Sequence, residues 1–197
     1  MSKPTLLNLP MPIKTSRILI RPRREGEGSI ISAAITESLD SLKPWMPFAQ
    51  SAPSAEMSEE VCRKSLADFI LKTDFVLSIY DSTGTEFIGS TGLHRPNWDV
   101  RSFHIGYWIC KKFEGKGLIT ESTNALTRYA FDVLKARRLE IRCDANNIKS
   151  LSVMKRLGFV QEGVLKNDAV DVNGQLRDTV VTARYDIDGL PDLDLQW

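Results

Sequence analysis

The chain has 197 residues, 42% of them hydrophobic, which is enough for one domain with a continuous core and short for two. Lysine and arginine total 26 against 25 acids, a net charge of +1, so no global field draws the chain to nucleic acid or an anionic membrane. No apolar run approaches the roughly 20 residues that span a bilayer, and the opening MSKPTLLNLPMPIK lacks the apolar stretch of a secretory signal, so a cytoplasmic protein is expected. Cys62, Cys110 and Cys143 are odd in number, form no CxxC pair and read as buried thiols of a reducing compartment. With only His94 and His104 to join them, no metal site is expected.

In chain order, TSRILIRP (15–22) alternates, with Ile18 and Ile20 on one face, and predicts a first strand. GSIISAAITESL (28–39) predicts a short helix. The proline-rich SLKPWMPFAQSAPSA then reads as a connector in which Trp45 and Phe48 form a lid or core edge. From Ser58, the residues Val61, Leu66, Phe69 and Ile70 recur at helical spacing. FVLSIYD and EFIGSTGLH flank the turn STGT and predict a hairpin; after the loop RPNWDVRS, FHIGYWI adds a third strand. A helix is predicted from 118 to about Lys135, with Leu118, Ser122, Leu126, Tyr129 and Val133 on its buried face. RLEIRCD follows that helix, which implies parallel pairing with the strand before it. NIKSLSVMKRLGF is a helix stopped by Gly158. VQEGVLK and DTVVTARYDI make a last hairpin, joined by a long loop that holds Asp168, Asp171 and Asn173-Gly174. The tail 188–197 is polar, proline-broken and expected to be loose. The result is a mixed α/β layer protein with an antiparallel meander followed by a β-α-β crossover.

The stretch KKFEGKGLITES (111–122) opens the crossover helix. A helix N-terminus leaves its first N–H groups unpaired and carries partial positive charge, and glycines ahead of it let a ligand approach the backbone. Phe113 to Leu118 therefore read either as a phosphate cradle, with Lys111, Lys112 and Lys116 adding attraction, or as a plain strand-to-helix turn with solvated lysines. A dinucleotide fingerprint fails because its third glycine would fall on Thr120. A Walker loop fails because GTEFIGST (84–91) puts Ser90 where the lysine must be, inside a predicted strand.

A second feature lies beyond the next strand. GYWICKKFEGKGLITES and RLEIRCDANNIKSLSVMKRLGF, preceded by TSRILIRP and LKPWMPF, resemble the GNAT superfamily of N-acetyltransferases over residues 13–187. Within it they look most like the RimL/RimJ-like group that acetylates ribosomal-protein N-termini. The superfamily's phosphate motif, (Arg/Gln)-x-x-Gly-x-(Gly/Ala), reads here Lys112-Phe113-Glu114-Gly115-Lys116-Gly117, with lysine at its first position. The resemblance implies a GNAT fold of six to seven strands with helices on both faces, in one domain over 1–197 whose core is 13–187. It implies acetyl-coenzyme A as co-substrate, with its pyrophosphate on the N–H groups around Lys112, Gly115, Lys116, Gly117, Leu118 and Ile119. The pantetheine arm would follow the backbone of Trp108, Ile109 and Cys110, and Asn147 joins the cofactor-binding set. The implied acceptor is a primary amine, first a protein N-terminal α-amine. The alternatives are a small-molecule amine (polyamine, amino acid or antibiotic) and a non-catalytic acyl-coenzyme A sensor. Related enzymes are often homodimers.

Amide formation from a thioester needs a neutral amine, a polarised carbonyl and a proton for the departing thiolate, and it needs no metal. In the RimL-like group the serine of N-x-x-S serves the sulfur, which implies Ser150; other members use a tyrosine four residues further on, where this chain has Met154. The bland reading of Ser150 is a hydrogen bond to the preceding turn. The group often carries a glutamate before IGYW, where this chain has His104, an imidazole suited to proton uptake near neutral pH; His94 competes for that role. A main-chain N–H of YWIC would hold the carbonyl oxygen. Cys110 as a covalent nucleophile has no evident His/Asp support, so direct transfer is the simpler expectation.

Overall fold

A computed structural model describes residues 3–197. The elements are β1 (Ile13–Lys14), β2 (Ile18–Pro22), α1 (Gly28–Glu37), α2 (Leu39–Leu42), α3 (Ala55–Leu71), β3 (Phe75–Asp81), β4 (Phe87–Asn97), β5 (Ser102–Ile109), α4 (Leu118–Asp132), β6 (Arg138–Asp144), α5 (Ile148–Arg156), β7 (Val160–Val170) and β8 (Leu176–Arg184). The eight strands form one mixed sheet in the order β1-β2-β3-β4-β5-β6-β8-β7. Only β5 and β6 are parallel neighbours, as the intervening helix α4 requires.

The extra strand relative to the six or seven expected is β1, two residues turned back on β2. Its turn is closed by Thr15, whose N–H donates to the Ile18 carbonyl at 2.9 Å and whose hydroxyl accepts from the Ile18 N–H at 3.1 Å. Alternation along β5 then divides the core. Phe103 and Ile105 face α4, where Leu118, Leu126 and Tyr129 are buried. Trp108 and the following Cys110 face the other way, toward Ile31, Ile35 and Cys62 of α1 and α3. Each fully buried side chain of this kind contributes about 1.5–3 kcal/mol.

Three expectations are corrected. The stripe that α3 buries is Ser58, Cys62 and Ser65, while Val61 and Ile70 are exposed. The reason is a close backbone crossing: a Cβ at Gly28 of α1 would lie 2.6 Å from the Ala55 carbonyl oxygen and the Glu59 nitrogen, so small residues must line the contact. The tail is docked. Leu190 is buried, Trp197 packs edge-on against Tyr129 at 5.7 Å, and Gln196 exchanges two main-chain hydrogen bonds with Lys14 of β1. Finally, Asp168 lies within β7, and the loop to β8 shrinks to a tight turn in which Asp171 accepts from the Asn173 and Gln175 N–H groups. Among the described residues no helix is long and apolar enough to cross a membrane.

The feature that positions the site is a divergence. β5 and β6 pair only through Ser102–His104 and Arg138–Glu140. Beyond that point β6 stays with β8 as far as Asp144, while β5 stays with β4 as far as Ile109. A wedge opens in the middle of the sheet.

Candidate active site

The wedge continues into a groove of about 1380 Å³, larger than the roughly 300–1,000 Å³ of a pocket for one small molecule. One wall of the wedge is the free main-chain edge of β5. The Cys110 N–H donates to the Ile88 carbonyl of β4 at 2.9 Å, so it is not available to a ligand, and the Cys110 side chain does not line the groove. Hydrogen-bonding direction alternates along a strand, so the main-chain groups of Tyr107 and Ile109 are the ones turned to the wedge. Trp108 contributes its indole to the groove on the α1–α3 face.

At the end of the groove, Gly115 and Gly117 both take positive φ, +75° and +77°, and Gly117 caps α4 without any side-chain hydrogen bond. The Cβ that alanine would add at Gly115 meets nothing within 4 Å, so it is the backbone conformation and open approach that call for glycine here. The first N–H groups of α4, from Leu118, Ile119 and Thr120, thus face the groove uncapped, as an anion site requires. The lysines expected to assist are otherwise engaged. Lys112 pairs with Glu86 at 2.8 Å, and Lys112 and Lys116 both lie over the Phe113 ring at about 5 Å. The cations that line the groove are Arg17, Arg23, Arg142, Lys149, Arg156 and Arg177, of which Arg17 pairs with Glu121 and Lys149 with Glu114.

Ser150 lies across the wedge at the start of α5, 9% exposed. Its hydroxyl is 2.7 Å from the Tyr107 hydroxyl, and burial pushes that phenol up to about 12, so it stays protonated. Tyr107 was not singled out by the sequence, although alternation along β5 places it on the face that α5 covers. Asn147, expected to bind cofactor, is the N-cap of α5: its side-chain oxygen accepts from the Ser150 N–H at 3.0 Å. Met154 is core, its sulfur accepting from Thr182. Cys143 lines the groove near Ser150, and burial pushes its thiol up to about 11.

The two histidines are cross-strand partners, His94 on β4 and His104 on β5. His104 lies at the apex of the wedge with Nδ1 3.4 Å from Glu140, which is held ionised by Arg138 and Arg142; it is not among the groove's lining residues. Burial holds its pKa below the ordinary imidazole value, against the pull of Glu140. His94 does line the groove, with Nδ1 2.8 Å from Asp74 Oδ1.

Residues 17–160 match the family model described as an acetyltransferase (GNAT) domain. The chain belongs to the GNAT acetyltransferase family. It is 34% identical to YdaF of Bacillus subtilis (strain 168), named as a candidate ribosomal N-acetyltransferase, over 83% of this chain and 88% of that one. It is 28% identical to the [ribosomal protein uS5]-alanine N-acetyltransferase of Escherichia coli (strain K12), over 91% and 93%. Its fold superposes on RimL, the ribosomal L7/L12 α-N-protein acetyltransferase solved with coenzyme A, with a TM-score of 0.82 at 21% identity, covering 88% of this chain and 96% of that chain.

The rest of the groove wall separates along the two faces of the GNAT sheet. On the α1–α3 face stand Trp45, Phe48 and Val61, with the Phe48 ring 6.0 Å from Trp108. Arg23 belongs to the same face. It is buried, its Nε has no hydrogen-bond partner among the described residues, and its Nη2 reaches Ser90 only at 3.4 Å. On the α4–α5 face stand the hydroxyl pair and the uncapped helix. Cys110 is unsuited to act as a nucleophile, because burial pushes its thiol up to about 11 and its sulfur points to the Phe87 carbonyl, away from the groove.

Proposed function

We propose that this GNAT domain moves acetyl from acetyl-coenzyme A directly to the α-amine at a protein N-terminus, in the cytoplasm. The observation that carries the reading is the wedge between β5 and β6, which ends on one side at an uncapped helix and on the other at a buried hydroxyl pair. The coenzyme's activated thioester supplies the acyl group. Main-chain N–H groups of Leu118 to Thr120 bind the pyrophosphate, Gly115 and Gly117 leave it room, and the free edge of Tyr107 and Ile109 pairs with the pantetheine arm. Ser150 donates a hydrogen bond and then a proton to the sulfur as it leaves, and Tyr107 steadies the serine hydroxyl from behind.

The acceptor follows from proton economy and from the relatives. An α-amine, with pKa about 7.7–8.0, is partly neutral at pH 7, whereas a lysine amine near 10.4 needs far more help. YdaF and the uS5 enzyme are named for ribosomal substrates. Free thiol release, followed across N-terminal peptides of ribosomal proteins, polyamines and aminoglycosides, tests the reading. Release with peptides supports it, and release with polyamines or aminoglycosides alone transfers the assignment to small-molecule amines. Calorimetric titration with coenzyme A provides the second arm. Substituting both Gly115 and Gly117 by alanine is expected to weaken affinity by about tenfold or more, since two left-handed positions are lost at the anion site. Unchanged affinity would remove the cradle.

A further inference from the structure

The second half of the chemistry, removal of the amine's proton, has a built candidate on the opposite face of the sheet. His94 and Asp74 form a dyad at 2.8 Å, and the carboxylate oxygen is fixed in turn by the Phe75 N–H at 3.0 Å. An ionised carboxylate only accepts hydrogen bonds, so the dyad requires the proton on Nδ1 and leaves the lone pair on Nε2. Two glycines seat the ring. A Cβ at Gly92 would lie 2.7 Å from Nε2, and one at Gly106 would lie 3.0 Å from the same atom. These glycines are a cross-strand pair, so the imidazole lies flat over the sheet with Nε2 between Gly92 of β4 and Gly106 of β5, the latter two residues beyond the apex of the wedge. Immediately after His94 the strand bulges: His94 pairs with His104 but Asn97 pairs with Ser102, and Arg95 takes φ +49°. Such bulges re-aim side chains next to active sites. No hydrogen bond to Nε2 is present among the described residues, and the ring is about one-third exposed, within the groove.

We infer that His94 is the general base of the transfer, with Asp74 as its positioning residue. The inference rests on the acetyltransferase reading above. Nε2 takes one proton from the acceptor ammonium, directly or through one water, and frees the nitrogen lone pair. The new N–C bond forms as the thioester C–S bond breaks. Ser150 gives its proton to the departing sulfur and is reprotonated by the second proton that the amine nitrogen loses as the amide forms, so the sum is amide, free thiol and one proton released by His94 to water. Acid and base reach one opening from opposite faces of the sheet, so amine and thioester can meet there in a single ternary complex. The charged and titratable groups around the two histidines are Asp74 before β3, Arg95 on β4, His104 on β5, and Glu140, Arg138 and Arg142 on β6. His104 faces that basic cluster and Glu140, whereas His94 alone presents a bare nitrogen to the groove.

The tests use the full chain. Long-range ¹H–¹⁵N spectra of the coenzyme-free protein are expected to show His94 protonated at Nδ1 and bare at Nε2; the opposite tautomer overturns the dyad. His94→Gln is expected to lower kcat/KM for an N-terminal peptide by about 100-fold near neutral pH, with coenzyme A affinity held within about threefold. Asp74→Asn keeps the size of the side chain but weakens its hold on Nδ1–H, so it is expected to lower kcat by about tenfold with KM for both substrates within a few-fold, a split that a purely structural role would not produce. A His94→Gln enzyme within about threefold of wild type, or a larger loss in His104→Gln, overturns the assignment. Absence of thiol release by the wild type with any amine removes the transferase reading and His94's role together. Activity in the wild type that survives in His94→Gln removes only the latter.

Discussion

The proposed mechanism assigns the acid chemistry to a hydroxyl pair at the wedge, two residues from different elements. Ser150 alone, near a helix start, has a ready structural role in bonding the preceding turn. Here its hydroxyl instead meets Tyr107 from β5, which remains a phenol because burial pushes it up to about 12. We expect Ser150→Ala to lower kcat by about 100-fold while leaving KM for acetyl-coenzyme A within a few-fold, because the lost interaction is made to the leaving sulfur. Tyr107→Phe keeps the ring and removes only the partner hydroxyl, so its loss should be smaller, about tenfold. The double variant should be no worse than Ser150→Ala, since both groups act through one proton path. Steady-state kinetics decides this, and independent, multiplying losses would mean that Tyr107 acts by itself. The serine was legible from the sequence through the N-x-x-S motif, but its partner was not, because the two are joined only when α5 folds over β5.

The elements that were legible owe it to local periodicity. The β3–β5 meander, α4, the parallel β6 and the Gly158 stop each follow from alternation, helical spacing or a left-handed glycine within a few residues. The face of α3 was not legible, because its packing partner is the backbone of α1 and the buried stripe is serine and cysteine. The same limit applies to Asn147, whose side chain serves the helix it opens. Its oxygen caps the Ser150 N–H, so one contact both stabilises α5 and sets the position of the serine. Asn147→Ala should therefore cost about 1 kcal/mol in urea unfolding and also lower turnover. Asn147→Asp, an equally good cap, should restore the stability. A full loss of coenzyme affinity in Asn147→Ala at unchanged stability would instead favour direct cofactor contact.

At the scale of the molecule, the tail closes both the core and the groove. Its sequence alternates over DLDLQW, with Leu193, Leu195 and Trp197 apolar, but the run is short and follows a proline, and its order comes from partners distant along the chain. The carbonyl of Pro191 accepts from Asn124 at 2.8 Å and from Arg128 at 3.0 Å, both on α4. Gln196 extends the sheet beside Lys14, and Trp197 covers Tyr129. Between these anchors Leu190 is buried in the larger core, and Pro191 to Leu193 form a wall of the groove. Leu190→Ala leaves a cavity at that joint and should cost about 2–4 kcal/mol, read as a shift in the urea midpoint. The displaced wall should also weaken coenzyme A binding in calorimetry, because the backbone amides of α4 and the tail face the same opening. If the midpoint moves by less than about 0.5 kcal/mol, as for an ordinary surface substitution, the tail is not part of the core. If stability falls while affinity holds, the tail braces α4 without shaping the site, and the groove must be bounded by α4, α5 and β5 alone.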